Sequence, residues 1–241
     1  MIPVLLALLL PAAVAAPDVT VERQLVVTIT SREIDNGVLA GITWDNGTLL
    51  MQGLVASADG TLSPRYVVVA AKETTLKHLK EPTPGALDYW DRKAKRVSPT
   101  GLGRIESSSD QKMPMYGVGS LETRINDAVG MGGMSAHHVL KLGSLIIHER
   151  DNVPPPYDGE VWSWSPAELN RIAYVDGKGD LWVARADGTN PQRLLKGHFL
   201  LPAWSDDGKA IAVAERKADG RKWEISVILL PESLRTPDKQ P

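Results

Sequence analysis

The chain has 241 residues and a formal charge of −2, from 27 Lys and Arg against 29 Asp and Glu, so it lacks the basic excess of a nucleic-acid binder. Apolar residues make up 43% and charged residues 23%; these are the proportions of a globular chain that buries a core, and they exclude wholesale disorder and a multi-span membrane protein. The absence of cysteine removes disulfide scaffolds, thiolate zinc sites, thiol nucleophiles and a lipid-modified N-terminal cysteine.

Residues 1–16 carry no ionisable side chain and combine an apolar run, residues 4–10, with Pro11 and the small stretch Ala12-Ala13-Val14-Ala15-Ala16. This pattern predicts a secretory signal peptide over residues 1–15, cut after Ala15 because Ala13-Val14-Ala15 fits an A-x-A site. The apolar run is shorter than the ~20 residues that span a bilayer, so the expectation is a periplasmic or secreted protein, with an uncleaved anchor as the alternative. The body is expected to occupy residues 16–230, followed by a disordered tail over 231–241.

Short β-branched or alternating runs then predict strands at residues 25–29, 48–55, 66–71, 139–147, 171–175, 181–184, 210–214 and 223–229. Between them stand Asp-Gly pairs at Asp59, Asp158, Asp176, Asp187, Asp207 and Asp219, and Asn-Gly pairs at Asn36 and Asn46. Both pairs tolerate the positive φ of tight hairpin turns. Residues 73–80 form a modest helix candidate, short enough to be a loop or a strand instead. The fold class is all-β.

A repeat refines this reading. Trp164-Ser165-Pro166 through Tyr174 aligns with Trp204-Ser205-Asp206-Asp207-Gly208 through Val213, and the two tryptophans stand 40 residues apart. Asp180-Leu181-Trp182-Val183 is matched by Lys222-Trp223-Glu224-Ile225 within a one-residue shift. Several strands per unit of about 40 residues is the spacing of a propeller blade, which needs like neighbours to bury both its faces. Trp164 and Trp204 are accordingly expected between blades, with Trp162 on the opposite face of the same strand.

Trp204-Ser205-Asp206-Asp207-Gly208-Lys209-Ala210-Ile211-Ala212, and Leu181 through Leu195 with its Asp187-Gly188-Thr189-Asn190-Pro191, resemble the propeller repeat of the TolB family. The resemblance covers residues 161–230. It implies a β-propeller-like body of roughly five blades at about 40 residues each. In that frame Trp44-Asp45-Asn46-Gly47 opens a diverged blade, while residues 87–90 and 96–98 supply outer strands of another. The alternative is an N-terminal β-sandwich over residues 18–105 joined to two or three propeller-type blades. The separate α/β domain of TolB proteins has no counterpart in the sequence.

Chemical motifs are sparse. Gly133-Met134-Ser135-Ala136-His137-His138 resembles a relaxed nucleophile elbow, but the strand before and the helix after that an elbow requires are missing, so it reads as a glycine-rich connection. Met113, Met115, Met131 and Met134 with His137 and His138 offer soft ligands of the kind copper takes, yet in no regular spacing, and methionine commonly fills irregular core space. Asp176-Gly177-Lys178-Gly179-Asp180 carries two carboxylates, and turn formation accounts for them without calcium. No catalytic residue, metal or cofactor is therefore expected.

These observations predict an exported, non-catalytic binding protein that presents loops to a protein partner, as an accessory subunit of a membrane-associated envelope complex. Membrane contact would be indirect or through an uncleaved N-terminal segment. The expected contact residues are Asp176, Lys178, Asp180, His198, Phe199, Glu215, Arg216, Lys217 and Arg221, a polar rim around the small apolar anchor Phe199. The alternative is a periplasmic hydrolase or lyase acting on a glycan or peptide at the propeller centre.

Overall fold

The structure is a computed structural model that describes residues 19–34, 38–56, 58, 61–70, 76–87, 95–110, 137–151, 161–217 and 222–237. The strands in chain order are β1 (Glu22–Thr30), β2 (Val38–Asp45), β3 (Thr48–Ala56), β4 (Leu62–Ala70) and β5 (Lys77–Leu79). They continue as β6 (Ile105–Asp110), β7 (His137–Leu142), β8 (Leu145–Asp151), β9 (Trp162–Trp164) and β10 (Arg171–Val175). The last are β11 (Leu181–Arg185), β12 (Gln192–Leu195), β13 (Phe199–Trp204), β14 (Ala210–Arg216) and β15 (Lys222–Leu229). Among the described residues, helix is confined to a single 3-10 turn at Ser31–Ile34 and to short turns at residues 84–87 and Glu232–Arg235. The chain is all-β.

Antiparallel hairpins gather these strands into four sheets, ordered β2-β3-β4-β5, β6-β7-β8, β9-β10-β11-β12 and β13-β14-β15-β1. The first described strand thus completes the sheet of the last three described strands. Its register runs from Glu22 opposite Leu229 to Thr30 opposite Lys222, with a bulge between Leu25 and Val27. The turns are set by residues that accept positive φ: Asn46-Gly47 at 49° and 77°, Gly188 at 85° and Gly208 at 69°.

One local device recurs where β9 and β13 end. The Ser165 hydroxyl accepts the Arg171 N–H at 2.9 Å and the Ser205 hydroxyl accepts the Ala210 N–H at 3.0 Å. Ser98 does the same for the Gly103 N–H at 3.1 Å, and Val97 bridges Arg104. Val97-Ser98-Pro99 therefore opens a third copy of the Trp-Ser-Pro turn, with valine in place of tryptophan. Residues 96–98 lead into β6 through this turn and are not outer strands.

The sheets pack on one another near their first strands. The Trp44 indole N–H of β2 donates to the Ala203 carbonyl of β13 at 2.9 Å, and the Trp204 backbone N–H of β13 donates to the Ser163 hydroxyl of β9 at 3.0 Å. The Trp164 indole N–H donates to the Lys95 carbonyl, also at 2.9 Å. Three apolar clusters fill the spaces between. One joins β2–β4 to β1 and β13–β15 through Ile42, Trp44, Val67, Ala203 and Trp223. A second joins the β9–β12 and β13–β15 sheets through Val183, Phe199, Trp204 and Ile228. The third joins β6–β8 to β9–β11 through Leu140, Ile147, Trp162, Trp164 and Tyr174.

Several sequence expectations are corrected here. Residues 139–147 form a hairpin broken at Gly143 (φ 58°), because Gly143-Ser144 turns the chain inside an apolar run. Within the helix candidate at 73–80, residues 77–79 are the edge strand β5, which pairs with β4. Trp162 and Trp164 lie in one cluster, since residues two apart in a strand share a face. An N-terminal sandwich is not formed: β1 belongs to the C-terminal sheet, and β2–β4 share their core with it. The described residues form four sheets, and residues 111–136 and 152–160, which the expected fifth blade would draw on, lie outside them. In the expected tail, Glu232–Arg235 is helical and buries Leu234 against the second cluster.

Candidate functional site

The sequence-derived contact residues converge from three connections. The β10–β11 turn is organised by Asp176, whose Oδ1 accepts the N–H groups of Lys178 and Asp180, each at 2.9 Å. Its Oδ2 accepts the Trp182 indole N–H at 3.0 Å. Asp180 is buried and ties this turn to the β12–β13 connection: Oδ1 accepts the Gly197 N–H at 3.0 Å, and Oδ2 faces Arg193 Nη1 at 3.4 Å. The Phe199 N–H donates to the Gly179 carbonyl at 2.9 Å. Gly179, at φ 92°, permits this approach, since a Cβ there would lie 2.9 Å from the Gly197 carbonyl oxygen.

The third contributor is the end of β14. Glu215 stands opposite Phe199 in register and is held by Arg23 at 2.7 Å and Lys217 at 3.5 Å. Lys217 also reaches Glu224 at 2.7 Å. The Arg23 guanidinium hydrogen bond, followed by the charges of Arg23 and Lys217, keeps the Glu215 carboxyl below the usual glutamate range. Around this network Lys178, His198 and Arg216 are exposed. Arg221 lies outside the described residues, as do Met113, Met115, Met131, Met134 and Ser135.

Phe199 differs from expectation. It is 1% exposed and sits in the core between two sheets, with the Arg23 guanidinium 5.3 Å from its ring centre. Strand pairing points its side chain inward, so it is a packing residue and offers no apolar anchor to a partner.

Sequence reasoning passed over the residues that give this end its chemical character. In register across the β9–β12 sheet, Trp162 faces Tyr174, Tyr174 faces Trp182, and Trp182 faces Arg193. The Tyr174 and Trp182 rings are near-parallel, 6.3 Å apart with planes 13° from each other. Arg193 places its guanidinium carbon 5.8 Å from the Trp182 ring centre. Burial first, then the Asp176 charge, pushes the Tyr174 hydroxyl well above the usual tyrosine range. Period-two spacing within each run was a visible signal, but the pairing between runs depends on register. Among the described residues no group of three or more His, Asp or Glu side chains is placed to hold a metal ion.

No family model matches the chain. A glucosamine kinase from Streptacidiphilus jiangxiensis is 28% identical over an alignment of 270 residues that takes in 98% of this chain. The chain spans 61% of that relative's length. Among solved structures, Pyrococcus horikoshii acylaminoacyl peptidase aligns at 10% identity and a TM-score of 0.26, over 79% of this chain and 38% of its own. Sqt1 from Chaetomium thermophilum aligns at 15% identity and a TM-score of 0.23, over 81% of this chain and 44% of its own.

The kinase relative overturns the expected function. A non-catalytic envelope protein presenting loops to a partner does not fit a sequence that aligns over nearly its whole length with a sugar-phosphorylating enzyme. The associated picture of a TolB-like binding protein is set aside with it, as is the alternative hydrolase or lyase; the expected signal peptide over residues 1–15 lies outside the described residues.

Proposed function

We propose that this protein takes part in phosphorylating an amino sugar. The observation that carries the proposal is the 28% identity with a glucosamine kinase across 98% of the chain. In the reaction a sugar hydroxyl oxygen attacks the terminal phosphorus of a nucleoside triphosphate. The bond from that phosphorus to the bridging oxygen breaks, the hydroxyl proton passes to a base, and a sugar phosphate and nucleoside diphosphate result. Such transfer depends chiefly on positioning and on cations that neutralise the phosphates. The described helices are single turns and offer no helix N-terminus preceded by a glycine-rich loop to cradle phosphate. In this reading the described sheets contribute the framework and the sugar-facing chemistry.

The test is direct. Purified protein is incubated with magnesium, ATP and glucosamine, with glucose and N-acetylglucosamine in parallel, and products are followed by phosphorus NMR and mass spectrometry. Glucosamine-dependent formation of a sugar phosphate with matching ADP is the expected result. ATP left intact with all three sugars, by folded protein, rejects the proposal.

A further inference from the structure

We propose that the rim of the β9–β12 sheet formed by Trp182, Asp176 and Arg193 is a subsite for a hexosamine ring; the choice of sugar rests on the amino-sugar reading above. The cross-strand row begins in the core with Trp162 and Tyr174, both buried, and emerges at Trp182 and Arg193, both half-buried. An aromatic row that runs from core to surface presents a rigid apolar edge backed by packed rings. A pyranose offers the complement, with C–H groups on one face and hydroxyls around its rim.

The polar groups beside this edge are held in place before any ligand arrives. Two backbone N–H groups and the Trp182 indole orient the Asp176 carboxylate. A carboxylate has about four acceptor positions, so three donors leave it able to receive one more. That remaining position suits the ammonium group of an amino sugar, with the strength of a charge-assisted hydrogen bond. Arg193 is steadied by Asp180 at 3.4 Å and carries a planar fork of donors that matches adjacent hydroxyls. Its guanidinium carbon stands 5.8 Å from the Trp182 ring centre, which keeps the fork beside the aromatic edge. Asp180, buried behind it, is a positioning residue.

Calorimetric titration of the full chain with glucosamine and with glucose, without nucleotide, tests the subsite separately from catalysis. Glucosamine is expected to bind. Asp176→Asn is expected to weaken glucosamine about tenfold more than it weakens glucose, because Oδ1 still has to accept the two backbone N–H groups and the amide nitrogen that replaces Oδ2 can accept neither the ammonium nor the Trp182 indole N–H. Arg193→Lys, which retains charge and loses the planar fork, is expected to weaken both sugars. Trp182→Leu is read only if its melting temperature stays near wild type; Arg193→Lys carries the test otherwise. Wild-type protein that binds neither sugar, or variants that bind as wild type does, overturn the subsite. Sugar phosphorylation that persists at unchanged KM in these variants overturns the subsite while leaving the proposed reaction standing. Binding lost as expected, with no phosphorylation by wild type, rejects the reaction and retains the subsite.

Discussion

Trp44, Trp164 and Trp204 occupy corresponding strand ends, yet their indole groups are treated differently. Trp44 and Trp164 each donate to a backbone carbonyl of a neighbouring segment, whereas the Trp204 indole N–H is buried without a partner among the described residues. A buried donor without an acceptor costs about 1–3 kcal/mol. Replacing Trp204 with phenylalanine is therefore expected to destabilise less than Trp44→Phe, which strands the Ala203 carbonyl; urea denaturation of both variants checks the order. Phe199→Ala empties a fully buried site and should cost about 3–5 kcal/mol, read as a lower urea midpoint. An unchanged midpoint would show that Phe199 is not in the core. Glu215 adds a pH dependence. Its folded-state pKa lies below the ordinary 4.5, so its pairing with Arg23 stabilises the fold above that value and is lost as pH falls through the depressed pKa. Acidification below about pH 4.5 should cost wild type more stability than Glu215→Gln, and thermal melts across that range measure the difference.

Among the described elements, the 97–105 turn carries an especially close contact. A Cβ on Gly103 would fall 1.6 Å from the Ala186 carbonyl oxygen, against backbone that cannot rotate away. Gly103→Ala should push this turn off the β9–β12 sheet and loosen β6–β8, whose Leu142 also lies beside it. Hydrogen exchange is expected to accelerate in residues 105–108 and 139–142 while β13–β15 stays protected; uniform acceleration would mean that the sheets unfold as one unit. The corresponding positions in the other two copies of the turn are Arg171 and Ala210, so this close approach, and not the repeat, requires glycine here. The turn packs its backbone directly on the neighbouring sheet, and the spacing from Ser98 to Gly103 closes it through the serine hydroxyl.

For the whole molecule, closure of the C-terminal sheet by β1 makes its stability depend on both ends of the chain. Val26, Val27 and Ile29 of β1 join a core shared with β2, β13 and β15. Removing residues 19–30 would uncover the β15 edge and that core together. The truncated protein is expected to lose its cooperative thermal transition and near-ultraviolet dichroism, and a synthetic peptide of residues 19–30 should restore them partly. A truncated chain that melts as wild type does would show that β1 is dispensable.

Local patterning decided the class of structure: β-branched alternation and turn pairs such as Asn46-Gly47 and Asp207-Gly208, whose glycines take positive φ, act over a few residues and require strands joined by tight turns, and the spacing of Trp164 and Trp204 repeats that pattern. The Asp176 turn was legible for the same reason, since an aspartate side chain caps backbone N–H groups two and four residues onward. What crosses between distant segments was not legible. Arg23 reaches Glu215, β1 reaches β15, and Trp182 meets Arg193 only once register is set. Phe199 was misread because burial depends on which face a bulged strand turns toward its neighbour, and that choice belongs to packing between sheets.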